Sequence, residues 1–92
     1  MKVVVRAFAR FREVIGDVNT LDIPEGSGIQ DLLIALAARS GESRDLLFDE
    51  EGMIRDNIIV MLNWRRLART AFAFTVLSEE DEVAIYPPVA GG

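Results

Sequence analysis

The stretch Ser27-Gly28-Ile29-Gln30-Asp31-Leu32-Leu33-Ile34-Ala35-Leu36-Ala37-Ala38-Arg39-Ser40-Gly41 decides the fold, because its periodicity is the clearest in the chain. Ile29, Leu32, Leu33, Leu36 and Ala37 follow the i, i+3, i+4, i+7, i+8 spacing of a helix that buries one stripe. Ser27 is the expected N-cap, and Gln30 three residues later completes a capping box that satisfies two orphan backbone donors. Gly41 is the expected stop.

Strands are predicted on both sides of this helix. Lys2 to Ala9 alternates, with Val3, Val5, Ala7 and Ala9 on one face and Val4, Arg6, Phe8 and Arg10 on the other. Phe11 to Gly16 reads as a turn or helical bend, and Asn19 to Ile23 as a second strand forming a hairpin with the first. Downstream, residues 42 to 57 are polar and acidic, interrupted by Leu46-Leu47-Phe48, which is expected to anchor this connection to the core. Ile58 to Leu62 is apolar on both faces, as in a central strand. Asn63-Trp64 reads as a turn, Arg65 to Thr70 as a weaker strand, and Ser78 to Asp81 as a further turn. Glu82 to Tyr86 is the last strand, with Val83 and Ile85 inward. The expected order is β-β-α-β-β-β, an α+β domain in which a mixed sheet packs on one main helix.

Composition narrows the chemistry. Ninety-two residues, half of them hydrophobic, make one domain. With no cysteine and no histidine, the chain has no thiolate, no disulfide framework and no side chain that titrates unperturbed near neutral pH. Neither a phosphate-binding glycine loop nor a GxGxxG turn is present. A net charge of −5 argues against nucleic acid as the main partner. No apolar run approaches the roughly 20 residues of a membrane span, and no signal-peptide pattern opens the chain, so a cytoplasmic location is expected. The acidic runs Asp49-Glu50-Glu51 and Glu79-Glu80-Asp81-Glu82 read as solvated loops, and no metal site is expected. Trp64 reads equally as a partner contact or as a cap over the core.

The ending carries the functional signal. After the last strand, Pro87-Pro88 cannot extend a hydrogen-bond ladder, so the chain is expected to leave the sheet there. Val89, Ala90, Gly91 and Gly92 remain, reaching about 13–14 Å when extended. Their side chains shrink toward the end, a shape suited to a narrow channel. A terminal Gly-Gly arises by chance in ~0.5% of chains at average glycine usage. Its coupling to a strand, a diproline and a taper makes chance a poor account. The expected division is a domain over 1–88 and an exposed, flexible tail over 89–92.

Asp81-Glu82-Val83-Ala84-Ile85-Tyr86-Pro87-Pro88-Val89-Ala90-Gly91-Gly92 resembles the C-terminus of the small subunit of molybdopterin synthase, one of the ubiquitin-like sulfur carriers. Phe8-Ala9-Arg10-Phe11-Arg12-Glu13 with Gly16, and Leu47-Phe48-Asp49-Glu50-Glu51-Gly52, resemble the same family. The chain departs from the family at Asn63-Trp64-Arg65, where Asn-Gly is usual, and in its apolar stretch Ala71 to Thr75.

The resemblance implies a β-grasp fold and a working C-terminus. A ubiquitin-activating-type enzyme would adenylate Gly92 with ATP, and a persulfide donor would convert it to a thiocarboxylate. The tail Pro87, Pro88, Val89, Ala90 and Gly91 would enter the molybdopterin synthase large subunit, in a heterotetramer, and deliver sulfur to a pterin precursor. No cofactor would be bound by the chain itself, and neither nucleic acid nor membrane would be a partner. Strand alternation places Phe8 and Tyr86 on the outer sheet face, and Arg65, Leu67 and Arg69 join them if they share one face of the fourth strand. Family likeness implies docking through Phe8, Leu67 and Tyr86, an apolar centre rimmed by arginines such as Arg12. Sulfur delivery to thiamine or transfer RNA is a second function of this kind. Conjugation of Gly92 to lysines, as in archaeal ubiquitin-like modifiers, is a third, and a plain interaction domain with an incidental tail is a fourth.

Overall fold

The computed structural model describes residues 1–87. Five strands form one mixed sheet: β1 (Lys2–Ala7), β2 (Val18–Asp22), β3 (Ile59–Leu62), β4 (Arg65–Leu67) and β5 (Glu82–Tyr86). Their spatial order is β2-β1-β5-β3-β4. β1 and β5 run parallel, with Val5 opposite Val83 and Ala7 opposite Ile85. The other pairings are antiparallel. The parallel pair is the consequence of a crossover through helix α2 (Ile29–Ala37), which lies across one face. Val3, Val5, Ala7, Val60, Val83 and Ile85 from the sheet meet Ile29, Leu32, Leu33 and Leu36 from the helix, and this is the core. The expected helix stripe is therefore the buried one.

Two further short helices, α1 (Arg10–Ile15) and α3 (Gly41–Leu47), make the order β-α-β-α-α-β-β-β. Neither is long enough to show a helical period in the sequence, which is why only a bend and an anchored connection were expected there. Both are fixed by their apolar residues: Phe11 and Ile15 are buried, as is Leu47, while Leu46 and Phe48 pack against the core.

Several sequence expectations need correction. The N-cap of α2 is Gly28, not Ser27, and the side chain that closes it is Asp31, whose Oδ2 accepts the Gly28 N–H at 2.8 Å. Ser27 is instead held by the segment before β5: its carbonyl accepts the Leu77 N–H at 2.9 Å. The Ile29 N–H likewise donates to the Thr75 carbonyl at 3.1 Å. Glycine is required at position 28, because a Cβ there would stand 2.7 Å from the Thr75 carbonyl oxygen. Gly41 does not stop α2, which ends at Ala37; it opens α3, whose N-cap Ser40 accepts the Ser43 N–H at 3.0 Å. Ala9 leaves the inward face, since its backbone turns left-handed (φ 54°) and sends the chain into α1. Arg10 follows it off the sheet and pairs with Glu13 at 3.2 Å.

The strand expected over Arg65 to Thr70 ends at Leu67, because a 3-10 turn (Arg69–Ala71) takes the chain off the sheet; the apolar stretch that follows buries Phe72 and leaves Phe74 exposed. No helix among the described residues is long and apolar enough to cross a membrane.

Candidate functional site: the base of the C-terminal segment

β5 is hydrogen-bonded on both sides, to β1 and to β3, so the last described residues, Tyr86 and Pro87, stand at the end of a central strand rather than an edge strand. A two-sided ladder fixes the direction in which Tyr86 and Pro87 point. Pro88, Val89, Ala90, Gly91 and Gly92 lie outside the described residues.

The face of the sheet opposite α2 surrounds this strand end. The register places Arg6, Ala84, Met61 and Arg66 in one row across four strands, and Tyr86 beside Ile59 in the next. Phe8, just past β1, still donates its N–H to the Ile85 carbonyl at 3.1 Å and so stays level with Tyr86. The two rings stack with centroids 4.3 Å apart and planes 6° from parallel. Arg6 pairs through its Nε with the Glu82 carboxylate on this face. Arg66 is exposed beside Met61. The result is an apolar strip of Phe8, Tyr86, Ile59, Met61 and Ala84, with Arg6 and Arg66 at the two ends of the row that holds Ala84 and Met61.

Phe8 and Tyr86 are thus brought together as expected. Leu67 is not with them. It sits opposite Val60, a fully buried core residue, so it faces α2 and packs against the core. The cause is the turn between β3 and β4: a two-residue loop, Asn63-Trp64, makes Leu62 pair with Arg65, and every side chain of β4 then follows. Arg65 shares that helix-side face. Arg69 is also withdrawn from the expected rim, because its guanidinium donates to the Arg55 carbonyl at 2.7 Å and to the Ile54 carbonyl, and pairs with Asp56. It fastens the 54–56 loop to the 3-10 turn. Arg12 is exposed on α1 and makes no ion pair among the described residues.

Alternation in the sequence already put Arg6 and Ala84 outward. Ile59 and Met61 carried no such signal, because Ile58 to Leu62 is apolar at every position. Arg66 was obscured by the unknown register of β4.

On the other flank of Pro87 a hollow is lined by Arg10, Phe11, Leu46 and Arg55. Trp64 is 65% exposed, so it does not cap the core. Asp49 is engaged within its own loop, its Oδ1 accepting the Glu51 and Met53 N–H groups at 2.9 and 3.0 Å.

A family model described as the ThiS family matches residues 5–92. The chain is 31% identical over 93 residues to small archaeal modifier protein 3 of Haloferax volcanii, with 100% of each protein covered. Its structure resembles that of SAMP1 from Haloferax volcanii, with a TM-score of 0.85, 27% identity and 100% of both chains covered. It also resembles a Pyrococcus furiosus protein assigned as molybdopterin converting factor, subunit 1, with a TM-score of 0.76 and 29% identity. That match covers 97% of this chain and 99% of the other.

Proposed function

This chain belongs to the ThiS family of ubiquitin-like carriers and modifiers, and from that premise we propose that it works through its own Gly92 carboxylate, activated by a partner enzyme and then passed to an amine or loaded with sulfur. The observation that carries this reading is the position of β5. A Pro-Pro-Val-Ala-Gly-Gly ending grows from a strand fixed on both sides, beside an apolar strip edged with arginine.

A carboxylate resists nucleophilic attack, so a separate ubiquitin-activating-type enzyme first joins Gly92 to AMP from ATP, releasing pyrophosphate. The acyl carbon of that adenylate can then be attacked. The chain supplies no thiol and no imidazole, so its partners bring the nucleotide site, the sulfur and the acid–base groups. Its own contribution is position. The Phe8–Tyr86 stack and the strip around it dock the partner, and the Pro-Pro-Val-Ala-Gly-Gly ending is the part that the partner's channel takes up.

The acceptor we favour is a lysine amine on another protein, with AMP leaving as the amide forms. The full-length relationship to small archaeal modifier protein 3 supports this outlet. A second outlet is supported by the similarity to the Pyrococcus furiosus molybdopterin converting factor protein. There a persulfide sulfur attacks the adenylate, AMP leaves, and a thiol cleaves the resulting acyl disulfide to a thiocarboxylate. A large subunit then takes that sulfur into a pterin precursor. Activation is common to both. Pyrophosphate exchange into ATP, measured with the activating enzyme, is expected to depend on this chain and to vanish when Gly91-Gly92 is removed. Exchange that persists without the two glycines would refute the proposal.

A further inference from the structure

The sequence holds a single lysine, Lys2. Resting on the amine-transfer outlet above, we infer that Lys2 is itself an acceptor: its ε-amine takes the activated Gly92 acyl group of a second copy, so that copies of this chain join through one linkage only. The amine nitrogen attacks the acyl carbon of the glycyl adenylate and a C–N bond forms. The bond to AMP breaks, AMP leaves, and the amine proton passes to solvent.

Two amines compete for this role, and the structure treats them differently. The α-amine of Met1 is engaged, donating to the Ile23 carbonyl at 2.7 Å and to Asp22 Oδ1 at 3.3 Å. It continues the β1–β2 ladder, in which the Ile23 N–H donates to the Met1 carbonyl at 2.9 Å, and it would have to let go of both partners before it could attack. Lys2 has the opposite arrangement. Its backbone is anchored, with its N–H on Glu79 Oε2 at 3.0 Å and its carbonyl accepting the Glu80 N–H at 2.7 Å. Its side chain is exposed and has no ion pair or hydrogen bond among the described residues. The remaining basic side chains are arginines, whose guanidinium stays protonated and is no acyl acceptor.

Geometry directs the linkage between copies. Because β1 and β5 run parallel with Val4 opposite Glu82, Lys2 and Pro87 stand at opposite ends of the sheet, about 23 Å apart at 3.3 Å per residue. The five residues after Pro87 span at most about 17 Å. A taut tail still falls about 6 Å short, so a chain reaching its own Lys2 would need a fully extended lysine side chain as well, whereas a second copy presents Lys2 without that constraint. Linked copies would therefore form an extended array, each joined at the end opposite its own docking strip.

The test is to incubate the full chain with its activating enzyme and ATP, and to digest the products with trypsin. Self-linked species are expected to yield Met1–Arg6 carrying Thr70–Gly92 on the Lys2 amine. Lys2→Arg is expected to abolish self-linkage while adducts on other proteins persist. Three outcomes would overturn the inference: adducts on other proteins with no self-linked species, self-linkage that survives Lys2→Arg through Met1, or a monomer cyclised on its own Lys2. No adducts of any kind would overturn the amine-transfer outlet together with it.

Discussion

The rings of Phe8 and Tyr86 stack at 4.3 Å, and they do so because β1 and β5 are parallel and in register at Ala7 and Ile85. One residue beyond that pair, two aromatic side chains emerge side by side on the face away from the helix, next to the point where the C-terminal segment begins. Both are half-buried. Replacing Phe8 with alanine removes a contact worth about 0.5–1.5 kcal/mol beyond its burial, so the domain should stay folded with a modestly lower Tm. Affinity for the activating enzyme is expected to fall about tenfold or more, equivalent to about 1.4 kcal/mol. A folded Phe8→Ala variant that binds unchanged would remove the stack from the docking surface.

Leu67 and Arg66 are neighbours in sequence and opposites in the fold. Leu67→Asp places a carboxylate against the core beside Val60. It should cost about 2 kcal/mol or more in stability, from lost apolar burial alone. Arg66→Glu changes the exposed face beside Met61 and should leave stability within about 0.5 kcal/mol, while weakening partner binding. Urea unfolding of the two variants separates these expectations. Equal stabilities would show that β4 is in a different register.

The turn between β3 and β4 carries its own test. Asn63 and Trp64 both have positive φ, 49° and 71°, the geometry of a two-residue hairpin turn that favours Asn-Gly. Asn63 suits it, and its side chain also accepts the Glu82 N–H and donates to Asp81 Oδ1, each at 2.9 Å. Trp64 is a bulky residue in a left-handed conformation and is mostly exposed. Trp64→Gly should therefore stabilise the domain by about 0.5–1 kcal/mol, a rise of ~3–6 °C in Tm. Asn63→Ala should lose about 1–2 kcal/mol by giving up those bonds. A lower Tm for Trp64→Gly would mean that the indole packs usefully where it lies.

The sequence was most legible where a period is long enough to repeat. The stripe of α2, the alternation of β1 and the inward pair Val83 and Ile85 were all readable, and with them the core. Where structure depends on contacts between distant segments, local signals misled. Ser27 and Gln30 have the composition of a capping box, but the backbone from Thr75 to Leu77 occupies that corner, and the cap moved to Gly28 and Asp31. Register was equally hidden: nothing local in Arg65-Arg66-Leu67 says which residue faces the core until the length of the preceding turn is fixed. Of the candidate site, the aromatic pair was visible from strand parity, whereas Ile59 and Met61 needed the pairing of β3 with β5.

The central claim is that Gly92 is the reacting end of this protein. The most direct measurement is an intact mass spectrum of the chain, ending at Gly92, taken from cells that contain its activating enzyme. The account predicts Gly92-dependent species: covalent adducts to other proteins through Gly92, a form heavier by the difference between sulfur and oxygen, or both, all lost when Gly91-Gly92 is deleted. A chain that is never modified at Gly92, and that keeps its cellular function without the two glycines, would contradict it.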